Sequence, residues 1–176
     1  MKINKKNISR TGFSLLELLI YVAILSIVMV AISSSFVSVS KGRVKADTQV
    51  EVNSNLRFAL DKISQDIKSA SGISVPATAN ATSSSLSATS SAVSLNYCVT
   101  SGVLRRQSGS ACTSSSEAIT SDLVKVDSIE FKRIENTHAL LGVTLTSIQI
   151  SVAMSYNSSS SDWQYSASGK TSASLP

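Results

Sequence analysis

The sequence has one histidine, two cysteines and two prolines among 176 residues. Each shortage excludes a chemistry. His138, in Asn136-Thr137-His138, has no companions from which a nucleophile–base set could be built, and it reads as a loop residue. A structural zinc site wants four Cys or His ligands at recurring spacing, and a single cysteine pair with one histidine does not supply them. No glycine-rich phosphate loop and no paired-carboxylate motif occurs. No catalytic activity and no cofactor are therefore expected. Aromatics make up only 5% of the chain, so a folded domain here has a small core and modest stability. Only one long apolar run is present, which limits membrane crossing to a single span.

Acid is missing from the first twelve residues, which carry Lys2, Lys5, Lys6 and Arg10. Those four account for most of the net charge of +5. The basicity belongs to a leader rather than to a binding face, and nucleic acid is not an expected partner. The pairs Arg105–Arg106 and Lys132–Arg133 read as solvated surface. Cys98 and Cys112 both lie in the polar C-terminal part. If that part is outside the cytoplasm, a disulfide is permitted, and closing such a loop contributes about 3 kcal/mol in the chain-entropy account. Two unpaired thiols are the alternative.

What is present starts with residues 18–39, which carry no charge. As a helix they span about 33 Å, close to the hydrocarbon thickness of a bilayer. The run is too long for an ordinary signal peptide, and no A-x-A-like site closes it. Lys41, Arg43, Lys45 and Asp47 follow directly. Charge bias orients the span only weakly, with four basic residues before it and three after.

From 44 to 71 the pattern becomes that of an amphipathic helix. Val52, Leu56, Ala59, Leu60, Ile63, Ile67 and Ala70 recur at three- and four-residue spacing on one face. Arg57, Asp61, Lys62, Gln65, Asp66 and Lys68 fall largely elsewhere, with Lys62 and Asp66 placed to pair across one turn. Gly42 is the one weak point in a helix running from 13 to about 70, and Gly72 with Pro76 marks its stop. Residues 76–92 read as a polar loop. Strand patterns follow at 93–99, at 102–107 after a turn at Ser101-Gly102, at 123–134 with a phase slip near Asp127-Ser128 that suits a bulge, at 143–156, and at 163–167. The expected fold is α+β: a long N-terminal helix, transmembrane then amphipathic, packed on a small, mostly antiparallel β head.

Gly12-Phe13-Ser14-Leu15-Leu16-Glu17 stands directly before the uncharged run. A carboxylate at the edge of a spanning helix is unfavourable unless it is partnered, which marks Glu17 for a function. A glycine lets a peptidase draw the backbone close. Together these residues resemble the prepilin processing signature of the type IV prepilin and pseudopilin superfamily. The resemblance implies cleavage between Gly12 and Phe13 by a prepilin peptidase, which also methylates the new Phe13 amine. It implies that Glu17 meets that amine on a neighbouring subunit and so sets the axial register. Its partners would be other pilin or pseudopilin subunits, inner-membrane assembly machinery, and membrane lipid before assembly.

Within the superfamily, the run Gln49…Asn53…Asn55-Leu56-Arg57-Phe58-Ala59-Leu60…Ile63…Asp66-Ile67…Ala70 resembles J-type minor pseudopilins of type II secretion and PilW-type minor pilins. Gly102-Val103-Leu104-Arg105-Arg106 resembles a strand of their heads. Ser34 and Ser26 stand where major pilins often carry Pro and Gly. The implied organisation is a cleaved leader at 1–12, a transmembrane and filament-core helix at 13–40, an amphipathic helix at 41–71, and a Ser/Thr-rich β head at 72–176. The implied location is the cytoplasmic membrane, leader inside and head outside, and then a pilus or pseudopilus. An uncleaved, signal-anchored surface protein with an adhesive head is the alternative from another class. A competence-type DNA-uptake pilus subunit is the alternative within the family.

Overall fold

The computed structural model describes residues 12, 14–90, 93–137, 142, 144–160 and 163–176. The expectations for leader residues 1–11, Phe13 and His138 lie outside the described residues. The chain divides into two compact units between Gly42 and Arg43.

A single helix, α1 (Leu15–Lys68), contributes to both units. Its N-terminal part makes up the described helix of the first unit, with the apolar side chains from Leu15 to Val39 exposed. Among the described residues, α1 is the one helix long and apolar enough to cross a membrane. Four serines in this stretch satisfy their hydroxyls within the helix. The hydroxyls of Ser26, Ser33, Ser34 and Ser35 donate to the carbonyls of Ala23, Met29, Ala31 and Ala31, at 2.8, 2.8, 2.9 and 3.0 Å. Back-bonding of this kind satisfies a hydroxyl inside the helix and makes it tolerable in lipid.

Among the described residues, the second unit holds the rest of α1 and nine strands: β1 (Gly72–Val75), β2 (Thr82–Ser83), β3 (Leu86–Ser90), β4 (Val93–Thr100), β5 (Val103–Ser108), β6 (Glu117–Ala118), β7 (Val124–Thr137), β8 (Thr144–Tyr156) and β9 (Ser166–Ser174). They form two sheets, ordered β1-β3-β4-β5-β6 and β2-β7-β8-β9. All the pairings are antiparallel. The fold is α+β with pilin-like architecture: one long helix packed on antiparallel sheets.

One core serves both sheets and the helix. Along α1 the buried positions are Thr48, Val52, Leu56, Ala59, Ile63, Asp66 and Ile67, a stripe at helical spacing. β8 alternates as its sequence requires, with Ile148, Ile150, Val152 and Met154 buried. In β7 the apolar phase shifts by one residue, and the register slips between Val126 and Ser128. The extra residue, Asp127, lets both Val126 and Ile129 face the core. The β4–β5 connection is a two-residue turn, Ser101-Gly102, with φ of 54° and 78°. Positive φ at both positions matches the twist of a hairpin.

Several expectations change. The helix ends at Lys68, close to the expected stop, but Gly72 is no cap: it opens β1. The Ser71 amide donates to the Thr89 carbonyl at 2.7 Å, so the chain enters the sheet at once. The stretch 76–92 is not simply a loop, because β2 and β3 lie in it. Leu86 and Ala88 fill the core from β3, and pairing with β4 supplies the backbone partners. The last strand starts later and runs further than 163–167. β6 carried no sequence signal. Asp66, placed by periodicity on the polar side, is buried between Ile63 and Ile67.

Candidate functional site

The processing segment is built around the start of α1. Gly12 is exposed, and a Cβ added there would meet nothing within 4 Å among the described residues. The fold therefore does not demand a glycine at this position. A requirement for one would come from outside the chain, as with an enzyme that must approach the backbone. Helical bonding reaches back to Ser14, whose carbonyl accepts from the Leu18 amide at 3.1 Å. Glu17 is thereby placed in the first turn, exposed. The unpaired amides and positive dipole end of that turn favour a carboxylate there. Next to it, Leu18, Tyr21, Val22 and Leu25 line a shallow groove along α1. Their i, i+3, i+4, i+7 spacing is that of a helix-packing seam.

In the second unit the main electrostatic feature joins α1 to the first sheet. Tyr97 Oη donates to Asp66 Oδ2 at 2.5 Å, and Arg106 Nε donates to the same oxygen at 2.8 Å. Lys62 Nζ lies 3.8 Å from Asp66 Oδ1, and Arg106 also reaches Glu117 at 3.6 Å. Tyr97 and Arg106 are opposed in the β4–β5 register, which aims both at the helix. Burial first, then the hydrogen bond and charge of Asp66, push the Tyr97 hydroxyl well above its ordinary value. The hydrogen bond that Arg106 donates to Asp66 raises its guanidinium further. A tyrosine so held keeps its proton, and the cluster works as a clamp between helix and sheet.

Neither basic pair is plain solvated surface. Arg105 Nη1 donates to the Ser116 carbonyl at 2.8 Å, and its Nε is buried without a hydrogen-bond partner. Arg133 Nη1 donates to the carbonyls of Ile73, Pro76 and Ala77 at 3.0, 3.3 and 3.2 Å, and its Nε to Glu135 at 2.6 Å. It ties the segment after β1 to the second sheet. Periodicity gives no hint of these roles, because the acceptors come from distant chain. Cys98, in β4, forms a disulfide with Cys112, with Cα atoms 6.1 Å apart. It holds the segment after β5 across the sheet, aided by Asn96 Nδ2 donating to the Ser110 carbonyl at 2.7 Å. Among the described residues, no three His, Cys, Asp or Glu side chains gather as a metal site.

A family model described as the prokaryotic N-terminal methylation motif matches residues 8–33. No curated protein and no solved structure matches the chain. The motif match supports a type IV pilin-like precursor of the prepilin and pseudopilin class, and it points to a structural subunit rather than an enzyme. It implies processing by a peptidase and assembly with other pilin subunits. Together with the apolar helix, it fits a single-pass, membrane-anchored protein.

Proposed function

We propose that this chain is the precursor of a minor pilin or pseudopilin, cut between Gly12 and Phe13 and assembled through α1 into a type IV pilus or a type II secretion pseudopilus. The observation that carries the reading is one of register. The motif match spans Gly12, Phe13 and Glu17 and runs into the apolar helix, and Glu17 occupies the first turn of that helix. A cut after Gly12 removes the basic leader at 1–12 and frees an amine on Phe13. Methylation keeps that amine charged. Glu17 of an entering subunit then pairs with the Phe13 amine of its neighbour, away from water, where an unpaired charge is costly.

In this reading, residues 13–40 anchor the precursor in the membrane and later form filament core. Lipid and neighbouring helices are both apolar surroundings, so the same surface serves in both. Residues 41–71 carry the head, and 72–176 form it. The leader faces the cytoplasm and the head lies outside, an oxidising setting in which the Cys98–Cys112 bond persists. The helical run at 49–70, with the strand at 102–106 and Ser34, favours a minor subunit of the J-type or PilW-type.

Protein sequencing of the chain recovered from cells with a prepilin peptidase tests the cut. The expected N-terminus is a methylated Phe13, and an intact Met1 leader would sink the proposal in favour of an uncleaved surface anchor. Glu17→Val tests the docking step. Cleavage should continue while incorporation into filaments is lost, and normal incorporation of that variant would refute the role given to Glu17.

A further inference from the structure

The sheet of β7, β8 and β9 gathers aromatic side chains at the end of one hairpin. Tyr156 closes β8, and Trp163 and Tyr165 precede β9. Aromatics are 5% of the chain, and Trp163 is its one tryptophan. The Tyr156 amide donates to the Tyr165 carbonyl at 2.8 Å, so the two tyrosines are held across from each other. The Trp163 and Tyr156 rings are 6.0 Å apart and tilted by 34°. Asn157 anchors this end to the turn before β7, through its amide to the Leu123 carbonyl at 2.8 Å and its side chain to the Asp122 carbonyl at 3.0 Å. Tyr165 Oη accepts from Asn53 Nδ2 of α1 at 3.2 Å, which fixes that ring as well.

Beside these rings lies an open depression of about 320 Å³, lined by Ser155, Tyr156, Ser158, Gln164, Tyr165 and Ser166. This is the small end of the range for small-molecule sites. Among the described residues, its lining has no charged and no aliphatic side chain. An anionic ligand would find no countercharge, and a hydrocarbon ligand no aliphatic wall. The chemistry present is uncharged hydroxyl and amide groups next to aromatic faces. Among the described residues, the Tyr156 hydroxyl, the Gln164 amide and the Ser166 hydroxyl have no hydrogen-bond partner. A rigid aromatic body with a polar tip suits a ligand that is apolar on one face and hydroxylated at its edge. Trp163 is 40% exposed, and so is open to such a ligand.

We infer that this hairpin end binds a neutral saccharide, one pyranose ring stacking on the aromatic side chains while its hydroxyls bond to Gln164 and to the tyrosine and serine hydroxyls. The site lies wholly within the second unit, so it stands or falls independently of the leader's cleavage.

The lone tryptophan makes the test direct. The full chain in detergent is titrated with chitotetraose, cellotetraose and maltotetraose, with the anionic tetragalacturonate as control. Trp163 emission and heat of binding are recorded. The expected result is a saturable emission shift with matching heat for at least one neutral tetrasaccharide and none for the anionic one. Gln164→Ala, at an exposed position, should weaken that response several-fold with an unchanged circular dichroism spectrum. Tyr156→Ala should abolish it. The absence of both shift and heat with all three neutral sugars would overturn the inference. So would a response equal for tetragalacturonate, or one undiminished in both variants.

Discussion

Tyr97 and Asp66 come from β4 and α1, and their side chains meet at 2.5 Å in the core with the tyrosine as donor. Tyr97 is almost wholly buried. Its hydroxyl is pushed above the ordinary 10.0, first by burial and then by Asp66. The folded state therefore prefers the neutral form. The contribution is complete below about pH 10, where the unfolded chain also keeps its proton, and is lost as pH rises above that. In denaturant titrations, wild type should lose up to about 1.4 kcal/mol of stability per pH unit above that point through this one group. Tyr97→Phe should show a shallower alkaline slope. It should also be less stable near neutrality by about 1.5–3 kcal/mol, the worth of a hydrogen bond to a charged group. An unchanged slope would count against the assignment.

Asp66 also holds Arg106. Its side chain is 10% exposed and that of Arg106 is 24% exposed. Asp66→Ala leaves a cation without its main partner, and the expected cost is about 3 kcal/mol, the lower end for breaking a buried pair because Arg106 keeps some water. Replacing both, as Asp66→Leu with Arg106→Met, should recover part of that loss. Thermal melts of wild type, Asp66→Leu, Arg106→Met and the double variant check it, and additive losses would argue against direct coupling.

Gly169 of β9 lies against the helix. A Cβ there would stand 2.7 Å from Leu60 Cδ1 and 3.4 Å from Leu56 Cδ2. Gly169→Ala should cost about 1–3 kcal/mol by overpacking. Leu60→Ala in the same chain should relieve it, so the double variant should be more stable than the sum of the single losses predicts. Equal additivity would show that the helix simply shifts away.

The disulfide closes a loop of separation 14. Cys98→Ser with Cys112→Ser should lower stability by about 3 kcal/mol in the loop-entropy account. Reduction of the wild-type chain should reproduce that loss and leave the double-serine variant unaffected. Chemical denaturation with and without reductant compares them.

Much of the fold was legible because its signals are local and periodic. The β8 alternation Ile148, Ile150, Val152, Met154 is a direct record of one buried face. The slip at Asp127 showed as a break in phase, and the structure has its bulge there. β3 was hidden because Leu86 and Ala88 are its only core residues amid serine and threonine. It is a strand because β4 pairs with it. Arg106 and Arg133 looked like surface charge, since nothing near them in sequence reveals an acceptor some 40 or 60 residues away.

What the amino-acid order determined by itself is the N-terminal half of the story. A glycine, a phenylalanine and a glutamate keep fixed spacing before an uncharged run of membrane length, and a helical stripe follows. Each depends on neighbours within a turn or two, so spacing is enough to read it. Only the tertiary structure decided that Asp66 is a buried clamp, that Cys98 meets Cys112, and that Tyr156 and Tyr165 line one depression with the Trp163 ring beside Tyr156. Those depend on strand register and on which face a hairpin turns to the helix, and such choices are made by packing between segments far apart in the chain.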